Sequence, residues 1–138
     1  MVTNRSRHAS GVPSIGPGIY VPLVTPFDRA GGVDWPSLEW LAADVLDGGA
    51  AGLVALGTTG ESATLSRRER DGVISCLTAV CADHRRPLIA GVGGNDTAAI
   101  AKEVGRRSAR VDAILSVVPY YTRPTEAGIT QQDRKSVV

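Results

Sequence analysis

The 138-residue chain is short of aromatic residues, cysteine, histidine and lysine, and each shortage excludes something. Aromatic side chains make up 4% of the residues, so few rings are available to stack on bases. The net charge is +1, so no broad basic field gathers a polyanion or an anionic membrane surface. Neither nucleic acid nor membrane is therefore an expected partner. No apolar run approaches the ~18 residues that a spanning helix requires. The two histidines, His8 and His84, stand at no metal-ligand spacing, and no Ser/His/Asp or Cys/His set can be assembled from them. Cys76 and Cys81 are five apart on an expected helix, roughly 140° around its axis, so they do not face each other. They read as two buried free thiols of a reducing compartment. Lysine occurs twice, as Lys102 and Lys135, and neither lies at a strand end. No metal site is expected.

What is present is an ordinary globular composition, 43% hydrophobic and 21% charged, in a chain long enough for one domain. Residues 1–17 carry Arg5, Arg7 and His8 without an apolar core, so they read as a disordered lead-in and not as a secretory signal. Four apolar runs follow: Ile19 to Val24, Gly52 to Leu56, Leu88 to Val92 and Ala113 to Val118. Each is continuous and not alternating, the habit of strands buried on both faces of a parallel sheet.

Three helical patterns separate these runs. The first has Asp34 as N-cap, Pro36 in its first turn, a stripe of Leu38, Leu41, Ala42, Val45 and Leu46, and Gly48-Gly49 at its end. The second opens on Ser66-Arg67-Arg68-Glu69, a capping box, and carries Val73, Ile74, Leu77, Val80 and Cys81 inward. The third begins after Asn95-Asp96-Thr97 and turns Ile100, Ala101 and Val104 inward. A β-α-β-α-β-α-β order implies crossover connections and a parallel sheet with outer helices. A complete (β/α)₈ barrel needs at least ~200 residues. The expected fold is accordingly α/β, the N-terminal half of a TIM barrel with about four parallel strands and three to four helices over residues 18–128, followed by a divergent or truncated tail over 129–138. Leu53, Ala55, Ile89 and Ile114 are expected on the barrel's inner face, and the first and fourth strands are expected to be open edges that make the isolated chain marginal or self-associating.

Ligands of α/β proteins sit at the C-terminal ends of parallel strands. Two motifs fall there. Gly57-Thr58-Thr59-Gly60-Glu61-Ser62 puts two adjacent hydroxyls on a tight turn after the second strand. Tyr120-Tyr121 follows the fourth. A local reading of each remains open: the threonines satisfying turn amides, the tyrosines half-buried as packing. Their shared end of the sheet favours one site. Gly52 to Thr59 is no phosphate loop, since threonine stands where that motif needs lysine. Gly91-Val92-Gly93-Gly94 lacks the third glycine of a dinucleotide loop.

The segments Pro22-Leu-Val-Thr-Pro-Phe-Asp28, Gly57-Thr-Thr-Gly-Glu-Ser-Ala-Thr-Leu65, Ile89-Ala-Gly-Val-Gly-Gly-Asn95 and Pro119-Tyr-Tyr-Thr-Arg-Pro124 resemble the dihydrodipicolinate synthase (4-hydroxy-tetrahydrodipicolinate synthase) family from about Gly18 to Gly128. The resemblance implies a cytoplasmic homotetramer of TIM barrels. It implies a carbon–carbon lyase that condenses pyruvate with aspartate semialdehyde, the first committed step toward diaminopimelate and lysine, through a Schiff base on lysine and without a cofactor. By the resemblance, Thr59 binds the pyruvate carboxylate and Thr58 joins a hydroxyl proton relay. Tyr121 enters that relay from the neighbouring subunit of a tight dimer. Ser62, Ala63, Leu65, Asn95 and Tyr120 lie near the family's lysine feedback site. The family's Schiff-base lysine belongs to a later strand, beyond residue 138, and neither Lys102 nor Lys135 can replace it, so a chain inactive alone is implied. The family's feedback glutamate is replaced or deleted in Asn95-Asp-Thr-Ala-Ala99, which puts lysine inhibition in doubt. Two other readings stand beside this one: a non-catalytic half-barrel that binds or regulates full-length homologues, and another pyruvate-dependent aldolase acting on sugar acids.

Overall fold

The structure is a computed structural model that describes residues 2–4 and 15–136. Its sheet has five strands, β1 (Val2–Asn4), β2 (Tyr20–Pro22), β3 (Gly52–Ala55), β4 (Leu88–Val92) and β5 (Ala113–Ser116), in the spatial order β1-β5-β4-β3-β2. The four strands from β2 to β5 are parallel, as the continuous apolar runs imply, and β1 joins β5 antiparallel. Three strands are shorter than the runs that announce them: β3 stops one residue early, before Leu56, and β2 and β5 lose more. The Leu23 amide still donates to the Val54 carbonyl at 3.1 Å, and then Thr25-Pro26 leads the chain away. At the other side, β4 ends at Val92, so after the Val117 amide donates to the Val92 carbonyl the chain has no further ladder partner and Val117 and Val118 are exposed. The lead-in expected over residues 1–17 falls largely outside the described residues; of its described part, Val2–Asn4 form β1.

The helices start where their caps dictate. α1 (Trp35–Asp47) is capped by Asp34, whose carboxylate accepts from the Ser37 amide at 3.1 Å and the Ser37 hydroxyl at 2.7 Å. α2 (Arg67–Asp83) has the full capping box: the Ser66 hydroxyl accepts from the Glu69 amide, and the Glu69 carboxylate accepts from the Ser66 amide. Hydrogen bonding to the Ser66 hydroxyl and then to the Ser66 amide holds the Glu69 carboxyl below its usual range. Replacing Ser66 by alanine is expected to cost about 1 kcal/mol, read from the denaturant midpoint at unchanged slope. α3 (Thr97–Arg107) is capped by Asp96, which accepts from the Ala98 and Ala99 amides. α4 (Glu126–Ser136) takes up most of the segment expected to be a divergent tail.

The helix stripes turn inward as their spacing implies: on α1 Leu38, Ala42 and Leu46 are buried and Leu41 and Val45 partly buried at the stripe's margin, and on α2 all five of Val73, Ile74, Leu77, Val80 and Cys81 are buried. They pack on one face of the sheet, formed by Leu53, Ala55, Leu88, Ala90, Val92 and Ile114. The opposite face carries Val54, Ile89 and Ala113, covered by Ile15, Tyr20 and Leu115. This corrects the expected inner face, since of Leu53, Ala55, Ile89 and Ile114 only Ile89 lies there. A strand that is apolar at every position has no alternation to say which set points which way. The edge expectation also changes: β1 pairs with β5, leaving β2 as the uncovered edge of the parallel set among the described residues.

Candidate functional site

Leu56, the residue after β3, is buried at a φ of +56°. For a leucine that conformation is strained, and it persists only where the surroundings enforce it. Here it takes the chain out of the sheet into a single 3₁₀ turn, Thr58–Gly60, closed by the Gly60 amide on the Gly57 carbonyl and the Glu61 amide on the Thr58 carbonyl, both at 3.1 Å. Thr58 and Thr59 are both exposed on it. The turn is tied down from two sides. The buried Thr25 hydroxyl donates to the Gly60 carbonyl at 2.7 Å. From α2, Arg70 Nη1 donates to the carbonyls of Leu65, at 2.5 Å, and Ser62, at 3.4 Å.

The C-terminal end of β4 lies beside this turn. The backbone passes so close there that a β-carbon on Gly91 would sit 2.5 Å from the Leu56 carbonyl oxygen. Beyond it, Asn95 accepts the Tyr120 amide at 3.0 Å, linking the ends of β4 and β5. The Tyr120 and Tyr121 rings stand edge to face, centroids 5.9 Å apart at 80°. Tyr121 is 98% exposed and has a φ of +65°.

These strand ends enclose an open groove of about 790 Å³. Thr58, Ser62, Ala63, Asn95, Tyr120 and Tyr121, six of the residues singled out in the sequence, line it together. Thr59 stands on the same turn but outside the groove's lining, and Leu65 is buried in the core beneath the loop, 4% exposed. Lys102 is exposed on α3 and does not line the groove; Lys135 is on α4.

Sequence reasoning missed the charged wall of the groove. Glu103, Arg107 and Arg70 line it, and Arg107 is only 5% exposed. Arg107 Nε and Nη2 both meet one Glu103 oxygen at 2.6 Å, and Arg107 Nη1 donates to the Gly91 carbonyl at 2.8 Å. Burial works against the Glu103 charge, but the hydrogen bonds and charges of Arg106 and Arg107 outweigh it and hold the carboxyl below its usual range. Burial pulls Arg107 down from the ordinary guanidinium value, with Glu103 opposing. It stays charged at any physiological pH, since the starting value is so high. The i,i+4 spacing of Glu103 and Arg107 was visible in the sequence as a pair; its burial was not. Thr25 gave no local signal, because its partner is 35 residues away. The two thiols are packed into the helix layer: burial pushes Cys81 up to about 12 and raises Cys76 as well.

Residues 16–135 match the dihydrodipicolinate synthetase family. Among curated relatives, the chain is 45% identical over 118 residues to the 4-hydroxy-tetrahydrodipicolinate synthase of Porphyromonas gingivalis, covering 85% of this chain and 39% of the relative. It is 47% identical over 116 residues to that of Flavobacterium psychrophilum, covering 83% and 39%. Among solved structures, it superposes on a dihydrodipicolinate synthase from Thermotoga maritima with a TM-score of 0.81 at 35% identity, over 86% of this chain and 40% of that one. On the dihydrodipicolinate synthase of Cyanidioschyzon merolae, solved with lysine bound, the TM-score is 0.80 at 34% identity, over 86% and 41%. The chain thus spans about two-fifths of the length of the relatives it matches. The four parallel strands and four helices are the corresponding α/β part of a TIM barrel.

Proposed function

The chain belongs to the dihydrodipicolinate synthetase family, and from that premise we propose that it carries the hydroxyl half of a site condensing pyruvate with aspartate semialdehyde through a Schiff base. One observation carries this reading: Thr58, Tyr120 and Tyr121, from two different strand ends, border one groove, so the threonine turn and the tyrosine offered to a neighbouring subunit open on the same side of the sheet. Condensation through an imine needs a group to hold the pyruvate carboxylate and groups to pass protons between carbinolamine, enamine and solvent. Thr59, with the amides of the 3₁₀ turn, holds the carboxylate. Thr58 and Tyr121 pass the protons. The 98% exposure of Tyr121 supports its entry into the site of a neighbouring subunit, in a cytoplasmic tetramer. Ser62, Ala63, Asn95 and Tyr120 border the same groove as a regulatory rim, with Leu65 supporting the rim from the core.

The nucleophilic lysine is neither Lys102, exposed on α3, nor Lys135 on α4, so it is supplied from outside these residues. Pyruvate followed by borohydride is therefore expected to leave the mass of the 138-residue chain unchanged; a reduced adduct on Lys102 or Lys135 would refute that assignment. Activity is tested in a chimera, with residues 18–128 replacing the matching stretch of the P. gingivalis relative. The chimera is expected to condense the two substrates. Thr58→Val should lower its kcat by about a hundredfold or more, the scale of a lost acid–base group. A folded chimera without condensation, or one indifferent to Thr58→Val, overturns the reading.

A further inference from the structure

A parallel ladder repeats every two residues, and that repeat fails at one place in this sheet. The Leu53 amide donates to the Pro87 carbonyl at 3.2 Å, and Ala55 stands opposite Ala90. Two steps on, the Gly91 carbonyl is due a donor from residue 57. Leu56, at φ +56°, has already turned the chain out of the sheet to form the threonine turn. A buried carbonyl left there without a partner would cost more than an ordinary hydrogen bond returns. Arg107 reaches from the last turn of α3 and donates to that carbonyl at 2.8 Å, in a buried contact. Glu103, one turn earlier on the same helix, fixes the guanidinium by accepting from both Nε and Nη2. Arg106 then ties Glu103 to Asp71 of α2, at 2.7 Å and 3.1 Å.

We infer that Arg107 is a positioning residue for the threonine turn: its guanidinium takes the place of the strand that leaves the sheet, and so holds open the gap from which Thr58 projects. Three observations agree. Gly91 is the residue that admits no β-carbon because the Leu56–Gly57 backbone lies against it, so whatever fixes Gly91 fixes the turn's take-off point. Arg107 and Gly91 both line the groove. The charge is buried beside a carboxylate that neutralises it, the arrangement in which a guanidinium can be kept away from water. The role of the turn in proton transfer rests on the function proposed above. The position of Arg107 does not.

Hydrogen exchange tests this without substrate. The Gly60 and Glu61 amides are bonded within the turn, while those of Val54 and Leu77 report the core. In the 138-residue chain, Arg107→Met should speed exchange at Gly60 and Glu61 by on the order of tenfold beyond any change at Val54 and Leu77, the factor associated with one unsatisfied buried carbonyl. Arg107→Lys, with an ammonium that serves Gly91 or Glu103 but not both in fork geometry, should fall between wild type and Met. Glu103→Gln keeps the bond to Gly91 and should move the turn less than Arg107→Met. If Arg107→Met does not fold, Arg107→Lys decides alone. Equal acceleration throughout the chain, or none at Gly60 and Glu61, overturns the inference. Because no turnover is measured, this result can fail while the chimera condenses its substrates, and the reverse.

Discussion

Gly91→Ala is expected to destabilise the chain by about 3 kcal/mol, the upper part of the range for adding a methyl group to a closed space. The new β-carbon would lie 2.5 Å from the Leu56 oxygen, 2.9 Å from the Leu56 carbonyl carbon and 3.0 Å from the Gly57 α-carbon. All three are backbone atoms, so no side chain can rotate aside. β3 and β4 must separate at the point where Arg107 grips the Gly91 carbonyl. The cause is space and not dihedral preference, since Gly91 is not among the glycines with positive φ. Gly57→Ala supplies the control. It sits at φ −71° with no atom within 4 Å of where a β-carbon would stand, and is expected to change stability by less than about 0.5 kcal/mol. Denaturant unfolding of the two variants at matched slope decides the matter. Equal stabilities would mean that the two strands are not in the close approach described.

Leu53→Ala should cost a further large amount, about 3 kcal/mol within the 2–5 range for truncating a buried leucine. Leu53 is fully buried on β3, an interior strand, on the helix-covered face, among rigid neighbours that close poorly over a void. Trp40→Ala removes a much larger side chain. At 67% exposure, though, it is expected to shift stability by about 0.5 kcal/mol or less. The ranking, small buried residue above large exposed one, is the checkable content. It also tests the correction to the sheet's two faces, because a Leu53 facing an unfilled barrel interior would be partly solvated and cheap to truncate. Comparable midpoints for Leu53→Ala and Trp40→Ala would return Leu53 to the inner face.

Local chemistry was the part of this molecule legible in its sequence. Asp34, Ser66 and Asp96 cap helices because their partners lie two or three residues away, and such bonds leave a trace in the order of residues. The four parallel strands were legible as apolar runs of the right length. Their facing was not, because Leu53 and Val54 are equally apolar and yet point to opposite sides. At the site, Thr58 and Tyr121 could be brought together by one topological rule, that parallel strands deliver their C-terminal ends to the same side. The supports of the site obey no such rule. Thr25 holds a carbonyl 35 positions away, and Arg107 one 16 positions away, so their meaning depends on the closed fold.

Tyr121, almost wholly in solvent, contributes next to nothing to holding its own chain together. Beyond its edge-to-face contact with Tyr120 and its place on the groove, selection acts on it through whatever it meets outside that chain. A survey that scores variants by cellular abundance would pass over this position in silence, and one that scores the condensation proposed above would not. Disagreement between two such surveys at a single tyrosine would locate a shared surface without any complex having been isolated.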